Sequence, residues 1–438
     1  MHLFQHQTVS CPGNRGPQGG PEAAICGPNG ANWGEPSREM NGSCIFEGSS
    51  GKSCLNPKRS WTPVSPKVIG DFSAICYFTA RDVGRMHTAK RPIGLIESDW
   101  GGTPVQAWTP PKGLAACGLP LHNCSTEPHG NCTNYPSKLY NHMVTPFIGF
   151  GLRAILWFQG EANSDEGFPM TRPQYACAFG QMIELWRAAW AAPMLPFGLV
   201  QLSSWTGNWG FDNMPCVANY CPVISRIRLA QADIVAQGGP PVAPLVGTPK
   251  FPLPNAFMAV AYDEGDNQAH GVHSRFKTVP AHRLALQLIA TAFKDAALPR
   301  GHSGPLPVSA RAGAAEAGLS VRVALSHATG LRLNDTHTCN EQFEKKCCKA
   351  GATGFGARIC TAAAPQACAK DADKKTVFNA VVTVDGAGGI LVAVPPSELG
   401  ARRGARATFV EFGAPQGGLS LACSEAFLAD MRWWPPQG

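Results

Sequence analysis

Four short apolar runs, separated by stretches with helical periodicity, constrain this chain more than any other feature. The runs are residues 92–96 (PIGLI), 152–158 (LRAILWF), 197–202 (FGLVQL) and 257–261 (FMAVA). Between them, Phe72, Ala74, Ile75, Phe78, Ala80 and Val83 fit one helical face. Residues 175–190 form a second helical pattern, with Phe179, Ile183, Trp186 and Trp190 at helical spacing, and residues 278–293 form a third through Val279, Leu284, Leu288 and Ile289. Strands that are apolar throughout, alternating with helices, predict an α/β fold whose parallel sheet is covered on both faces. Such sheets place their sites in the loops beyond the carboxyl ends of the strands.

Past residue 300 the pattern changes to short alternating stretches between Gly/Ala-rich turns, at residues 319–324, 377–384, 390–394 and 407–412. These predict a small C-terminal β domain of sandwich type, interrupted by a Cys-rich insertion from Cys339 to Cys368. Residues 11–60, rich in Gly, Pro, Asn, Ser and Cys, read as a long loop. The expected division is therefore 1–60 as a Cys/Gly/Pro-rich region, 61–300 as the α/β domain and 301–438 as the β domain.

The chain carries 17 cysteines without the paired spacing that zinc prefers, which points to disulfides in an oxidising compartment. Four glycosylation sequons agree, placing expected N-glycans on Asn41, Asn123, Asn131 and Asn334. The first seven residues hold an apolar run of only two, so an export leader is expected to lie upstream of this chain. No stretch of the length a membrane-spanning helix needs is present. The formal charge of +7 is spread thinly, with no Lys/Arg run longer than a pair, so nucleic acid is not an expected partner.

Three strand-end segments carry chemistry. Ser98-Asp99-Trp100-Gly101-Gly102-Thr103-Pro104 follows the first run, and its glycine pair lets backbone N–H groups approach a ligand oxygen, or simply makes a tight turn. Gln159-Gly160-Glu161-Ala162-Asn163 follows the second, with two amides and a carboxylate in five residues. An amide can donate to an oxyanion and a carboxylate can orient a histidine. The third segment, residues 263–273, holds Asp263, Asp266, His270 and His273 just before a helix, the parts of a general-base unit or an ordinary polar turn. His270 and His273 lack an evident third ligand, so neither a metal nor a cofactor is expected.

In order and spelling these segments resemble the SGNH-type hydrolases, and among them the sialate O-acetylesterase family. The resemblance runs through PIGLIESDWGGTPVQAW, YNHMVTPFIGFGLRAILWFQGEAN, PFGLVQLS, FMAVAYDEGD and HSRFKTVPAHRLAL, over roughly residues 60–300. It implies a flavodoxin-like sheet and removal of acetyl groups from O-acetylated sialic acids by a serine–histidine pair. By matching position it implies His273 as the catalytic histidine and Gly101 and Gly102 as the oxyanion turn. Gln159, Gly160 and Asn163 match the family's third block. Glu161 is the first choice for the orienting acid, then Asp266, then Asp263.

The family's first block, Gly-Gln-Ser-Asn-Met, which carries the nucleophile, is not spelled in these 438 residues. The resemblance begins at about Met1-His2-Leu3-Phe4, past the place where that block is expected, so truncation of a secreted or lumenal esterase is the expectation. Acetylated polysaccharide such as xylan is the alternative substrate, and a non-catalytic carbohydrate-binding protein is the alternative function. Trp100, Trp108, Trp205 and Trp209 are candidates to stack on sugar rings, or core residues.

Overall fold

The computed structural model of the chain describes residues 2–6, most of 61–203, 222–235, 244–261, 264, 274–294 and the strands between 306 and 412. Two compact units emerge: residues 1–199, 242–257 and 288–295, and residues 200–241, 258–287 and 296–438.

In the first unit, β1 (His2–His6) lies parallel to β3 (Gly94–Ser98), in register from His2 opposite Gly94 to His6 opposite Ser98. The short β2 (Thr62–Pro63) pairs antiparallel on the other side of β1. Helix α1 (Ala74–Met86) starts where Ser73 accepts the Cys76 N–H, and its buried Ile75, Ala80 and Val83 continue the face predicted from the sequence. Phe72, Ala80 and Leu95 form a small core, with Val64, Ile69 and Ile93 packed against it.

Two short helices follow β3, α2 (Val105–Trp108) and α3 (Pro111–Ala116), each opened by a proline that is unable to donate a ladder hydrogen bond. After β4 (Ile155–Trp157) and a 3₁₀ turn at Glu161–Asn163, the long α4 (Arg172–Ala189) begins with a reciprocal cap. Thr171 accepts from the Gln174 N–H while the Gln174 side chain accepts from the Thr171 N–H. Trp157 fills the centre of this unit. Its ring centroid lies 5.7 Å from those of Trp108 and Phe179 and 5.8 Å from that of Trp186. A disulfide between Cys117 and Cys177 ties the end of α3 to α4. Of the described cysteines, Cys76 is a free thiol.

The strands β4, β5 (Phe197–Gln201) and β6 (Ala256–Val260) form a three-stranded sheet in that order, with β4 and β5 parallel. All five residues of β5 are buried, the signature of a strand covered on both faces. The sheet is flanked by helices, as expected for the α/β class.

The second unit holds α5 (Pro222–Ile234) and, up to Gln287, α6 (Thr278–Leu288); a π-helical turn at Ile289–Phe293 follows in the chain and belongs to the first unit. Helix α5 was not foreseen, because polar residues interrupt its apolar pattern. Those residues have work at the end of β5. Arg228 donates from Nε to Leu202 O (3.0 Å) and from a terminal nitrogen to Ser203 O (2.6 Å), and Gln231 Oε1 accepts from the Leu202 N–H (3.1 Å). Buried backbone groups at a strand end need partners, and two polar side chains of one helix supply them.

The C-terminal sheet is six-stranded and antiparallel. Its strands are β7 (Leu306–Ala312), β8 (Ser320–Ser326), β9 (Gly356–Cys360), β10 (Val377–Val384), β11 (Gly389–Ala393) and β12 (Phe409–Phe412). The order is β12-β9-β10-β11-β8-β7. Val321, Val323, Ile390 and Val392 are buried while Arg322 and Leu391 face out, the alternation of a sheet with one covered face. Strands β8, β10, β11 and β12 stand where the sequence placed them; β7 and β9 are additions. Residues 11–60, and the Cys-rich insertion apart from β9, lie outside the described residues. Among the described residues, no helix is long and apolar enough to cross a membrane.

Candidate active site

The turn after β3 is built by hydroxyls and a strand-end carboxylate. Thr103 Oγ1 donates to Trp100 O (2.7 Å) and accepts from Trp108 Nε1 (2.9 Å), closing the backbone around the glycine pair. Trp108 is a core residue in this role, whereas Trp100 is partly exposed; Trp205 and Trp209 lie outside the described residues. Gly101 and Gly102 are both exposed, and a Cβ built on either meets nothing within 4 Å. Gly102 has φ 71°, a left-handed conformation that disfavours a side chain.

Behind the turn, the buried Glu97 accepts the Ser73 N–H at 2.5 Å, so the carboxylate sits on the amino end of α1. Burial, with Glu97 adding to it, pushes the Cys76 thiol up to about 12. Burial also raises the Asp99 carboxyl, against the lowering effect of its hydrogen bond with Glu97.

The loop after β4 is an amide lattice. Gly160 has φ 148°, which lets the chain fold back into the 3₁₀ turn, and Asn163 on that turn has no exposed surface. Asn163 Oδ1 accepts from the Val105 N–H (2.8 Å) and from Gln159 Nε2 (2.9 Å). Its Nδ2 donates to Gln106 Oε1 (2.9 Å) and Phe168 O (3.3 Å). Gln159 Nε2 also donates to Thr103 O (3.0 Å), and Tyr175 on α4 donates its hydroxyl to Gln159, at 3.1 Å from Oε1 and 3.2 Å from O. Both hydrogens of each carboxamide thus point at acceptors within the protein. In this arrangement the two carboxamides tie the loop after β4 to the segment after β3.

The structure therefore joins Gln159 and Asn163 to the segment that follows Gly101 and Gly102. Glu161 is partly buried on the same 3₁₀ turn, where its carbonyl accepts from both the backbone N–H (2.9 Å) and the hydroxyl (2.7 Å) of Ser164. Asp263, Asp266, His270 and His273 lie outside the described residues. Beside them, the Ser274 hydroxyl donates to Glu264 O, and His282 is exposed on α6. Gln106 and Tyr175 were not singled out from the sequence. Gln106 lay within the PIGLIESDWGGTPVQAW string, but Tyr175 read only as the first residue of a helix. Among the described residues, no three His, Cys, Asp or Glu side chains converge as metal ligands would.

Comparison with known proteins bears on this geometry. Residues 63–236 match the family model described as carbohydrate esterase, sialic acid-specific acetylesterase. The chain is 35% identical over 247 residues to the sialate O-acetylesterases of Homo sapiens and Pongo abelii, and 30% identical over 275 residues to that of Mus musculus. Those alignments cover 54% of this chain and 42%, 42% and 45% of the relatives, so the chain spans less than half the length of the curated proteins it matches. A crystal structure described as a novel carbohydrate acetylesterase from Xanthomonas citri superposes with a TM-score of 0.55 over 86% of this chain and 68% of that one. At 21% identity that likeness speaks for the fold. The Gly101–Gly102 turn and the Gln159–Asn163 lattice both lie within residues 63–236, the segment that is similar to the carbohydrate esterase family of sialic acid-specific acetylesterases.

Proposed function

We propose that the protein to which this chain belongs is a carbohydrate O-acetylesterase acting on O-acetylated sialic acids. The observation that carries this reading is the tie between its two strand-end blocks, Gln159 Nε2 to Thr103 O, inside the segment that matches the family. In the proposed reaction a serine hydroxyl attacks the acetyl carbonyl and His273 takes its proton. The backbone N–H groups at Gly101 and Gly102 face the oxyanion that forms. Collapse of the tetrahedral species releases the sugar hydroxyl, which takes the proton back from His273, and water then frees acetate from the acyl-serine by the same route. Glu161 is the proposed orienting acid, with Asp266 and then Asp263 behind it.

The proposed serine is that of a Gly-Gln-Ser-Asn-Met block, which these 438 residues do not spell. Residues 61–300 would be the esterase domain and residues 301–438 the accessory β domain, in a secreted or lumenal glycoprotein carrying N-glycans at Asn41, Asn123, Asn131 and Asn334. The test is to express residues 1–438 beside a form extended with the upstream sequence and assay both on 4-nitrophenyl acetate, an O-acetylated sialic acid and an acetylated xylan. Turnover of the sialic acid by the extended form alone is the expected result. Robust turnover by the short form would mean that it carries its own nucleophile. Preference for xylan would move the substrate, and sugar binding without turnover in either form would favour a non-catalytic binder.

A further inference from the structure

We propose that Tyr175 is a positioning residue of this site and acts through Gln159, an inference that rests on the acyl-transfer reading above. Tyr175 lies on α4 with no exposed surface, its ring against Phe179 at 5.7 Å between centroids. Its hydroxyl has one hydrogen to give, and it faces the two oxygens of Gln159 at 3.1 and 3.2 Å. With Oε1 accepting there, the carboxamide turns Nε2 toward Thr103 O and Asn163 Oδ1, at 3.0 and 2.9 Å. The flipped amide would set its oxygen against two acceptors, Thr103 O and Asn163 Oδ1, and would forfeit the Tyr175 hydroxyl as a donor to Oε1, so the observed orientation is selected.

The hydroxyl is itself well anchored. Cys177, two residues along α4, is tied to Cys117, and the reciprocal Thr171–Gln174 cap fixes the start of the helix. On the far side of the lattice, Asn163 Nδ2 holds Gln106 Oε1, and the Gln106 carbonyl accepts the Ser137 N–H at 2.8 Å. Tyr175 therefore holds one of the two carboxamides that link the loop after β4 to the segment after β3, the one bonded to Thr103 O. Oxyanion donors act only when held in place before the charge develops; Thr103 closes the turn over the two glycines, and Gln159 holds the Thr103 carbonyl.

The test uses the 438-residue chain with ¹⁵N-labelled glutamine. The Gln159 carboxamide signal is assigned as the pair lost in Gln159→Glu. In the wild type its hydrogens should exchange with water about 100-fold more slowly than those of an exposed glutamine. Tyr175→Phe should shift that pair and speed its exchange about tenfold. Thr109→Val is the control for a merely structural role. It deletes another fully buried hydroxyl, bonded to Val105 O at 2.9 Å and Ala178 O at 3.4 Å, and should leave the signal in place. In the serine-bearing extended form, Tyr175→Phe should lower kcat about tenfold while KM stays within about twofold.

Rapid exchange of Gln159 in the wild type would overturn the proposal, and that measurement stands even if Tyr175→Phe does not fold. So would an unchanged signal in Tyr175→Phe, an equal change in Thr109→Val, or an unchanged kcat. The carboxamide signal needs no ester turnover, so an extended form that hydrolyses nothing refutes the esterase reading and is distinguishable from failure of the Tyr175 lock.

Discussion

At the end of β3, Gly101 and Gly102 stand exposed with open space where side chains would be. At the end of β4, Asn163 has no exposed surface, and its side chain has four hydrogen-bond partners. One loop presents bare backbone and the other braces it. The two loops are joined by carboxamides, which reach Thr103 and Val105 just past the glycines, and on this account these bonds brace the turn that Thr103 closes. Buried amides are suited to this, because each binds two donors and two acceptors and leaves a large penalty when one partner is removed.

That contrast predicts unequal consequences for substitutions in the two loops. Asn163→Ala should cost the most, about 3 kcal/mol, since it strands the buried Val105 N–H and three further partners; urea unfolding measures it. Gly160→Ala comes next at about 2 kcal/mol, because φ 148° strains any side chain. Tyr175→Phe should lose about 1 kcal/mol, one hydrogen bond with the ring's packing retained.

Gly101→Ala should change stability by less than about 0.5 kcal/mol, since its Cβ meets nothing. In a catalytically competent form it should still lower kcat/KM by about tenfold, by crowding the open face. A Gly101→Ala cost equal to that of Asn163→Ala would erase the distinction between presenting and bracing. A separate effect concerns pH. The Cys76 thiol is raised from 9.0 to about 12, so between those values the native state holds a proton that the unfolded chain releases, and stability falls as pH rises. From about pH 8 to about pH 10 the wild type should therefore lose more stability than Cys76→Ala, with a smaller midpoint shift in urea for the variant.

The sequence revealed the strands of the α/β region because burial on both faces leaves a continuous apolar run, as in Phe197–Gln201. It revealed the long helices by their periodicity, and the two strand-end blocks by polar residues directly after those runs. Helix α5 escaped because Arg228 and Gln231 interrupt its apolar face to cap the end of β5, a demand set by tertiary structure. Strand β1 escaped because His2–His6 has only two apolar residues in succession; its identity comes from pairing with β3. Within the site, the amides were legible as chemistry but their use was not. Asn163 and Gln159 read as donors for an oxyanion, whereas the fold turns their hydrogens onto Gln106, Phe168, Thr103 and each other. Tyr175 has the signature of a core aromatic, and only its hydroxyl's position separates it from one.

The bracing claim is tested most directly by amide hydrogen exchange over residues 101–109, comparing the wild type with Asn163→Ala. If the lattice holds the turn, the Val105 amide and those of the preceding turn should exchange about 100-fold faster in the variant, while β5 keeps its protection. Acceleration at Val105 alone, with the Gly101–Thr103 turn exchanging as it does in the wild type, would contradict the account: the turn would then be rigid by its own hydrogen bonds.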